Sequence, residues 1–126
     1  MSQDIVADAL NIMRNAKKAG KESTTVKIIS NLLIEVLKIM KQKGAVKKYR
    51  IDAKDKSVEI VLGDFFECRA IKPRFSAKKD QIEKYRRRYL PSRQIGTVII
   101  STNKGLLTHE EAQEEQTGGS LVAYFY

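Results

Sequence analysis

Helical and strand patterns alternate in the first half of this chain, and that alternation limits its possible folds more than any other feature. Apolar residues recur at helical spacing in residues 4–18 and again from Ser30 to Gly44, where Ser30 is a suitable N-cap. Three other segments are rich in β-branched or alternating apolar residues, as strands are. These predicted strands cover residues 24–29, 46–53 and 58–62. The pattern therefore predicts an α-β-α-β-β unit.

The second half of the chain has fewer helical signals and more strand signals. The predicted strands there cover residues 65–71, 97–100 and 121–126. A basic stretch over 73–93 has little periodicity and is predicted to be a loop that contains one short helix. Thr108 and Glu111 match a capping box, which predicts a helix of about two turns ending near Gly118.

Together these elements predict an α+β fold in two parts. Residues 1–66 are expected to form an N-terminal α/β subdomain, the α-β-α-β-β unit, packed against the second part. Residues 67–126 are expected to form a C-terminal, mostly-β subdomain with one short helix and a basic loop over 72–93. A length of 126 residues is ample for burying a core.

The chain has one cysteine, Cys68, and one histidine, His109, and this scarcity excludes several kinds of site. Structural zinc needs about four Cys or His ligands, and an internal disulfide needs two thiols, so neither can form. We therefore expect no metal and no cofactor. A Cys68–His109 nucleophile pair is conceivable, but no catalytic signature surrounds either residue, so binding is favoured over catalysis.

Composition and the chain start give expectations about the cellular setting. No apolar run approaches the roughly 20 residues that a membrane helix needs. The first residues lack the basic-then-apolar pattern of a signal peptide. We therefore expect a cytoplasmic protein with no membrane partner and no small-molecule substrate.

Positive charge is concentrated in one stretch, residues 69–93. The whole chain has a net charge of +9, and this stretch, with ten basic and two acidic residues, carries +8 of it. Such a concentration is typical of a polyanion partner, because each neutralised phosphate releases counterions. A solvated surface segment is the alternative. Tyr85 and Tyr89 lie within the stretch and either stack on bases or pack in the core, since their spacing also fits one helix face.

A short polar turn follows the predicted strand over 97–100. Its residues are Ser101, Thr102, Asn103, Lys104 and Gly105. Small hydrogen-bonding side chains on a rigid turn suit the minor groove of RNA, where 2′-hydroxyls, base edges and phosphates are within reach. An ordinary turn is the alternative, because Asn and Gly are common turn residues.

The acidic and glycine-rich segments after the turn match no catalytic or phosphate-binding pattern. The acidic residues are Glu110, Glu111, Glu114 and Glu115. We interpret them as a solvated helix face and expect them to face away from any RNA. Gly118-Gly119 lacks the spacing of a phosphate-binding loop, and no lysine follows it as in a P-loop.

From Gly96 to Ala112 the sequence resembles the C-terminal signature of the small-subunit ribosomal protein S8 family: a strand, a Ser-Thr turn, a glycine, an apolar pair and a helix. Residues 117–121 and the aromatic ending resemble the family's closing strand, and residues 4–15 its first helix. The likeness runs in order along essentially the whole chain. Residues 72–75 and 88–93 are similar to the archaeal and eukaryotic branch.

This resemblance implies direct binding to small-subunit ribosomal RNA in its central domain, and a part in assembling it. Neighbouring small-subunit ribosomal proteins are the other implied partners, and no enzymatic activity is implied. The family's RNA contacts map onto the polar turn and the Gly-Gly segment, and we expect the basic residues to add grip on phosphates. The expected RNA-binding residues are Ser101, Thr102, Asn103, Lys104, Gly105, Gly118, Gly119, Lys72, Arg74, Arg86, Arg87, Arg88, Arg93 and Arg14.

The hypothesis from the sequence is therefore a structural, non-enzymatic constituent of the small ribosomal subunit. Two alternatives stay open. One is a free RNA-binding translational regulator, acting on messenger RNA that mimics the ribosomal site. The other is a small hydrolase that uses Cys68 or His109.

Overall fold

A computed structural model describes residues 5–27, 30–71, 75–92 and 94–126 of the chain. Its helices and antiparallel sheets confirm the predicted α+β fold class. The chain divides into two compact units, Met1–Cys68 and Arg69–Tyr126, which are called unit 1 and unit 2 below.

Unit 1 has two amphipathic helices, α1 (Ile5–Lys18) and α2 (Asn31–Gln42). The Ser30 hydroxyl accepts the N–H of Leu33 at 3.1 Å, which confirms the predicted N-cap of α2. Gly20 has φ +78° and ends α1 in a left-handed conformation that glycine adopts at little cost. The residues that these helices bury are Val6, Ala9, Leu10, Met13, Ala16, Leu33, Val36, Leu37, Ile39 and Met40.

The sheet of unit 1 has three antiparallel strands in the order β1-β3-β2. They are β1 (Ser23–Val26), β2 (Val46–Asp52) and β3 (Ser57–Leu62). The central strand β3 alternates, with Val58, Ile60 and Leu62 buried, while α1 packs on β1 and α2 packs on β2. The predicted α-β-α-β-β order is confirmed. Ile28 and Ile29, the end of the first predicted strand, lie outside the described residues.

The second sheet has five strands: β4 (Cys68–Ala70), β5 (Ser76–Ala77), β6 (Thr97–Thr102), β7 (Gly105–Thr108) and β8 (Gly119–Phe125). Their order is β4-β8-β6-β7, and β5 pairs with β8. Residues 97–100 of β6 are all buried, which explains why that stretch is a continuous β-branched run instead of an alternating one.

Unit 2 also has two short helices, α3 (Ile82–Tyr89) and α4 (His109–Glu114). The predicted capping box of α4 is confirmed: Thr108 Oγ1 accepts the N–H of Glu111 at 3.2 Å, and Glu111 Oε1 accepts the N–H of Thr108 at 3.1 Å. The core of this unit comprises Ile71, Ala77, Ile82, Leu90, Val98, Ile100, Ala112 and Leu121.

Several element boundaries in unit 2 differ from the sequence prediction. The predicted strand over 65–71 is reduced to β4, and neither β5 nor β7 was expected, because two and four residues are too short to show a period of two. Helix α4 ends well before Gly118. Gln116, the second residue after α4, has a left-handed conformation with φ +53°. The N–H of Thr117 donates to the Ala112 carbonyl oxygen at 3.0 Å, which closes the end of the helix.

Candidate RNA-binding surface

A two-residue turn joins β6 to β7 and carries Asn103 and Lys104 at its tip. The Thr102 hydroxyl donates to the Gly105 carbonyl oxygen at 2.8 Å and accepts the N–H of Lys104 at 3.0 Å. Gly105 has φ +105°, a conformation that residues with side chains rarely adopt. The Thr102 hydroxyl and Gly105 therefore hold the turn in shape.

The side chains of the turn differ in how far they are available to a ligand. Ser101 and Thr102 are half-buried, whereas Asn103 and Lys104 are exposed. Lys104 Nζ lies 3.6 Å from Oε2 of Glu115, the C-cap residue of α4, so this carboxylate partly offsets the charge of Lys104. Because Thr102 already bonds within the turn, Asn103 is the side chain here best placed to hydrogen-bond outward.

Three serines lie in one row across the sheet beside this turn. Ser76 of β5 pairs with Ser120 of β8, which in turn pairs with Ser101 of β6. Directly paired residues project from the same face, and neighbouring strands lie about 4.8 Å apart. The row extends the hydroxyl chemistry of the turn onto the sheet. Neither Ser76 nor Ser120 was predicted from the sequence, although the position of Ser120 directly after the Gly-Gly segment could have indicated it.

The Gly-Gly segment is explained by close backbone approach. A Cβ atom on Gly119 would lie 2.1 Å from the Ser101 carbonyl oxygen, and one on Gly118 would lie 2.3 Å from the Ala77 carbonyl oxygen. Real Cβ atoms essentially never come so close to another atom. Packing within the sheet therefore requires glycine here, and the same packing places Gly119 directly beside the residue that begins the turn.

Helix α3 presents its three consecutive arginines unequally. Arg86 is only 5% exposed, and its Nε and Nη2 atoms donate to Glu83 Oε1 at 3.0 and 2.7 Å. This hydrogen bonding raises the pKa of the Arg86 guanidinium. Arg87 and Arg88 are exposed, and the Arg88 guanidinium lies 5.9 Å from the centre of the Tyr89 ring. A phosphate could reach Arg87 and Arg88 directly, whereas Glu83 already occupies Arg86.

The two tyrosines of the basic stretch pack inside unit 2. Tyr85 lies 5.1 Å from Phe75 between ring centres, and Tyr89 stacks on Tyr124 at 5.0 Å. All four rings are partly buried against the core. The sequence left base stacking and core packing open for Tyr85 and Tyr89, and in the structure both side chains pack against the core.

The remaining expected contacts are placed less directly. Lys72, Arg74 and Arg93 lie outside the described residues. Arg14 belongs to unit 1, where its Nη1 atom lies 3.5 Å from Glu67 Oε1 and its Nη2 atom donates to Asn11 Oδ1. Arg14 is thus partly satisfied by side chains of its own unit.

Neither residue of the conceivable hydrolase pair is prepared for nucleophilic chemistry. The Cys68 thiol is buried against the Leu10 carbonyl oxygen at 3.3 Å, and burial raises its pKa to about 12. A thiol in that state is not a nucleophile at neutral pH. His109 is 2% exposed, and its Nδ1 atom accepts the backbone N–H of Val98 at 3.1 Å.

The described residues include neither a metal-binding cluster nor a membrane-spanning helix. They contain no group of three or more His, Cys, Asp or Glu side chains arranged to hold a metal ion. None of the described helices is long and apolar enough to cross a membrane.

Comparison with known proteins identifies the family of the chain. A family model described as ribosomal protein S8 matches residues 4–126. The chain belongs to the ribosomal protein S8 family. This assignment confirms the family named from the sequence and supports a structural ribosomal role.

Relatives named small ribosomal subunit protein uS8 match over essentially their full lengths. The protein from Nanoarchaeum equitans is 44% identical over all of both chains. The protein from Halorubrum lacusprofundi is 42% identical over 98% of this chain and 97% of its own. The protein from Archaeoglobus fulgidus is 35% identical over all of both chains. All three relatives are archaeal, in line with the branch suggested by the sequence.

Proposed function

We propose that this protein is a structural constituent of the small ribosomal subunit that binds small-subunit ribosomal RNA directly, in its central domain, and helps to assemble it. The observation that carries the proposal is the β6–β7 turn, which Thr102 and Gly105 hold in shape while Asn103 is exposed at its tip. Such a turn can enter a minor groove with little loss of conformational entropy. The match to the S8 family supports ribosomal RNA as its partner.

Two kinds of contact make up the proposed interface. Ser101, Thr102, Asn103, Lys104 and Gly105, with the adjoining Gly118 and Gly119, recognise the shape and the groove edges of one RNA helix. Arg87 and Arg88 bind phosphates and give salt-dependent affinity. Because Glu115 offsets Lys104, we assign recognition at the turn to hydrogen bonding instead of charge.

Replacement of Asn103 tests the proposal most directly. The Asn103→Ala variant should bind a central-domain fragment of small-subunit RNA more weakly by about 1–3 kcal/mol, by analogy with base-edge contacts. Its affinity for an unrelated RNA hairpin of the same length should stay the same. The measurement is a pair of binding titrations at one salt concentration, with Glu114→Ala as the matched control, since Glu114 is exposed on α4.

Thr102 offers a second arm with a conservative rescue. Thr102→Ala removes the hydroxyl that closes the turn and should weaken binding to the central-domain fragment, whereas Thr102→Ser should restore it. Equal losses on both RNAs would contradict selective recognition by the turn. Failure of the full chain to cosediment with small subunits while it still bound free RNA would favour a translational regulator.

A further inference from the structure

Phe66 is the most exposed large apolar side chain in the described part of the chain. It is 89% exposed, although its neighbour Phe65 is 5% exposed and Cys68 is fully buried. Phe65 and Phe66 belong to the loop over 63–67 that joins β3 to β4, and Cys68 is the first residue of β4. The ring of Phe66 therefore lies in water between a buried residue, Phe65, and a half-buried one, Glu67.

The loop is fixed at its start. The Gly63 N–H donates to the Ala45 carbonyl oxygen at 2.9 Å, and the Asp64 N–H donates to the Gly44 carbonyl oxygen at 3.0 Å. A Cβ atom on Gly63 would lie 2.3 Å from the Gly44 carbonyl oxygen, so glycine is required for this approach. Lys17 Nζ donates to the Gly63 carbonyl oxygen at 2.7 Å.

The loop is also fixed at its end. Glu67 Oε1 lies 3.5 Å from Arg14 Nη1, and the Cys68 thiol contacts the Leu10 carbonyl oxygen. Phe66 is therefore held between two anchored segments. An exposed ring that is already ordered loses little entropy when a partner covers it. Arg14, an expected RNA-binding residue, acts here as a positioning residue for Phe66 through Glu67.

A basic cavity of about 300 Å³ opens beside the start of the same loop. Its walls include Gly63 and Asp64 of the loop and three lysines, Lys17, Lys21 and Lys47. The lysines come from α1, from the segment after α1 and from β2. Glu22 and Asp64 also line the cavity, so its net charge is +1.

A β-bulge directs one of these lysines. Val46 pairs with Leu62 and Lys48 pairs with Val61, so Lys47 is the extra residue of β2. Bulges commonly re-aim a side chain at functional sites, and this one exposes Lys47 and Lys48 in succession. The bulge in β2 therefore contributes one of the lysines that line the cavity.

We propose that the loop over 63–67 and this cavity form a second RNA-binding site, in unit 1, where an unpaired base stacks on Phe66 and a neighbouring phosphate binds Lys21 and Lys47. Asp64 lines the cavity and is two residues from Phe66, so the Cα atoms of these two residues lie within about 7.6 Å of each other. Stacking on an aromatic ring beside basic side chains is the recognition mode of single-stranded nucleic acid. The lysines favour RNA over an apolar protein partner. The choice of RNA as ligand rests on the function proposed above.

The experiment uses the full chain and a single-stranded 12-nucleotide oligouridine. Phe66→Ala should lower its affinity about tenfold, within the range measured for loss of one base–aromatic stack, while Phe66→Tyr should stay within about twofold. Lys47→Ala should lower the affinity and reduce the salt dependence by about 0.7. Ile51→Ala is the matched control, because Ile51 is another exposed apolar residue of unit 1 and should change nothing.

A 4-thiouridine version of the oligonucleotide locates the contact. The expected crosslink lies in the peptide that contains Phe66. Unchanged oligouridine affinity in Phe66→Ala, with crosslinks confined to unit 2, would overturn the second site and leave the proposed function intact. Crosslinking at Phe66 without any selective binding by the Asn103 turn would support the second site and reject the proposed function. A Phe66→Ala defect seen only with other small-subunit proteins would overturn the inference in favour of a protein partner.

Discussion

The two units present positive charge in different ways. In unit 2 two exposed cations, Arg87 and Arg88, follow one another along helix α3, and the turn that we assign to recognition carries a lysine whose charge Glu115 partly offsets. In unit 1 the cations converge from separate elements around one cavity next to an exposed ring. Concentrated positive charge therefore indicates candidate phosphate contacts, whereas we attribute selectivity to rigid groups that hydrogen-bond or stack.

Both units fix their proposed surfaces by the same device, a glycine pressed against a neighbouring carbonyl group. Gly119 approaches Ser101 beside the turn, and Gly63 approaches Gly44 beside the loop of Phe66. Adding a methyl group at either position should separate two backbones that are in direct contact. The two glycines therefore allow each surface to be disturbed on its own.

The largest effect is expected for Gly119→Ala. The added Cβ would lie 2.1 Å from the Ser101 carbonyl oxygen, so the free energy of unfolding should fall by about 3 kcal/mol, the upper end for overpacking. Urea unfolding measures this loss. Selective RNA binding should fall as well, under conditions where the variant remains folded.

Gly63→Ala is the counterpart in unit 1 and should cost a similar amount of stability, because its Cβ would lie 2.3 Å from a carbonyl oxygen. It should weaken oligouridine binding and spare selective binding. If both variants impaired both RNAs equally, the assignment of separate surfaces to the two units would be wrong.

Much of the fold could be predicted because its signals are local. Ser30 and Thr108 cap their helices as the sequence predicts, because each cap involves residues only three apart in the chain. Strands β5 and β7 could not be predicted, because they exist through pairing with residues distant in the sequence. Neither contains enough residues to show a pattern of its own.

The candidate site was predicted in composition but not in geometry. The polar turn and the Gly-Gly segment were identified, yet the strand pairing that joins them, and adds Ser76 and Ser120, is a tertiary feature. The sequence also treats Arg86 like its neighbours, because the i, i+3 spacing from Glu83 allows an ion pair but does not show that the Arg86 side chain is buried. Phe66 could not be identified from the sequence, because no local pattern shows that its side chain is exposed.

The next largest expected effect is a loss of stability at high pH, which comes from the buried thiol of Cys68. Burial raises the pKa of Cys68 from 9.0 to about 12, so between those values the unfolded chain loses a proton that the folded chain keeps. Stability should therefore be unaffected below pH 9 and fall as the pH rises above it, by about 1.4 kcal/mol per pH unit. Urea unfolding at pH 8, 9 and 10 measures the slope.

Cys68→Ala isolates the contribution of the thiol, because lysines and tyrosines titrate in the same window in both proteins. The difference between wild type and variant should carry the slope attributed to Cys68. A difference that stayed constant from pH 8 to pH 10 would show that the thiol ionises as readily when folded, and would reopen Cys68 as a reactive group.

A smaller effect compares the helix caps of the two units. Thr108 makes two reciprocal bonds in its capping box, whereas Ser30 makes one. Ser30→Ala should cost about 1 kcal/mol, and Thr108→Ala should cost more, up to about 2 kcal/mol, because it removes a buried methyl group together with the capping hydroxyl. Urea unfolding of both variants, with Thr108→Ser as the conservative control, measures the difference. Equal costs for the two alanine variants would mean that burial of the Thr108 methyl group adds nothing to the stability of the cap.

The smallest effect separates the arginines of α3 by salt dependence. Arg87→Ala and Arg88→Ala should each reduce the slope of log affinity against log salt by about 0.7 to 0.9, because each exposed guanidinium is proposed to neutralise one phosphate. Arg86→Ala should leave the slope unchanged and lower the thermal midpoint instead, because it breaks the ion pair with Glu83 inside unit 2. Binding titrations of the central-domain RNA fragment at four salt concentrations provide the slopes. An Arg86→Ala slope that fell as far as the other two would show that Glu83 releases Arg86 to the RNA, and the distinction between inward and outward arginines would not survive.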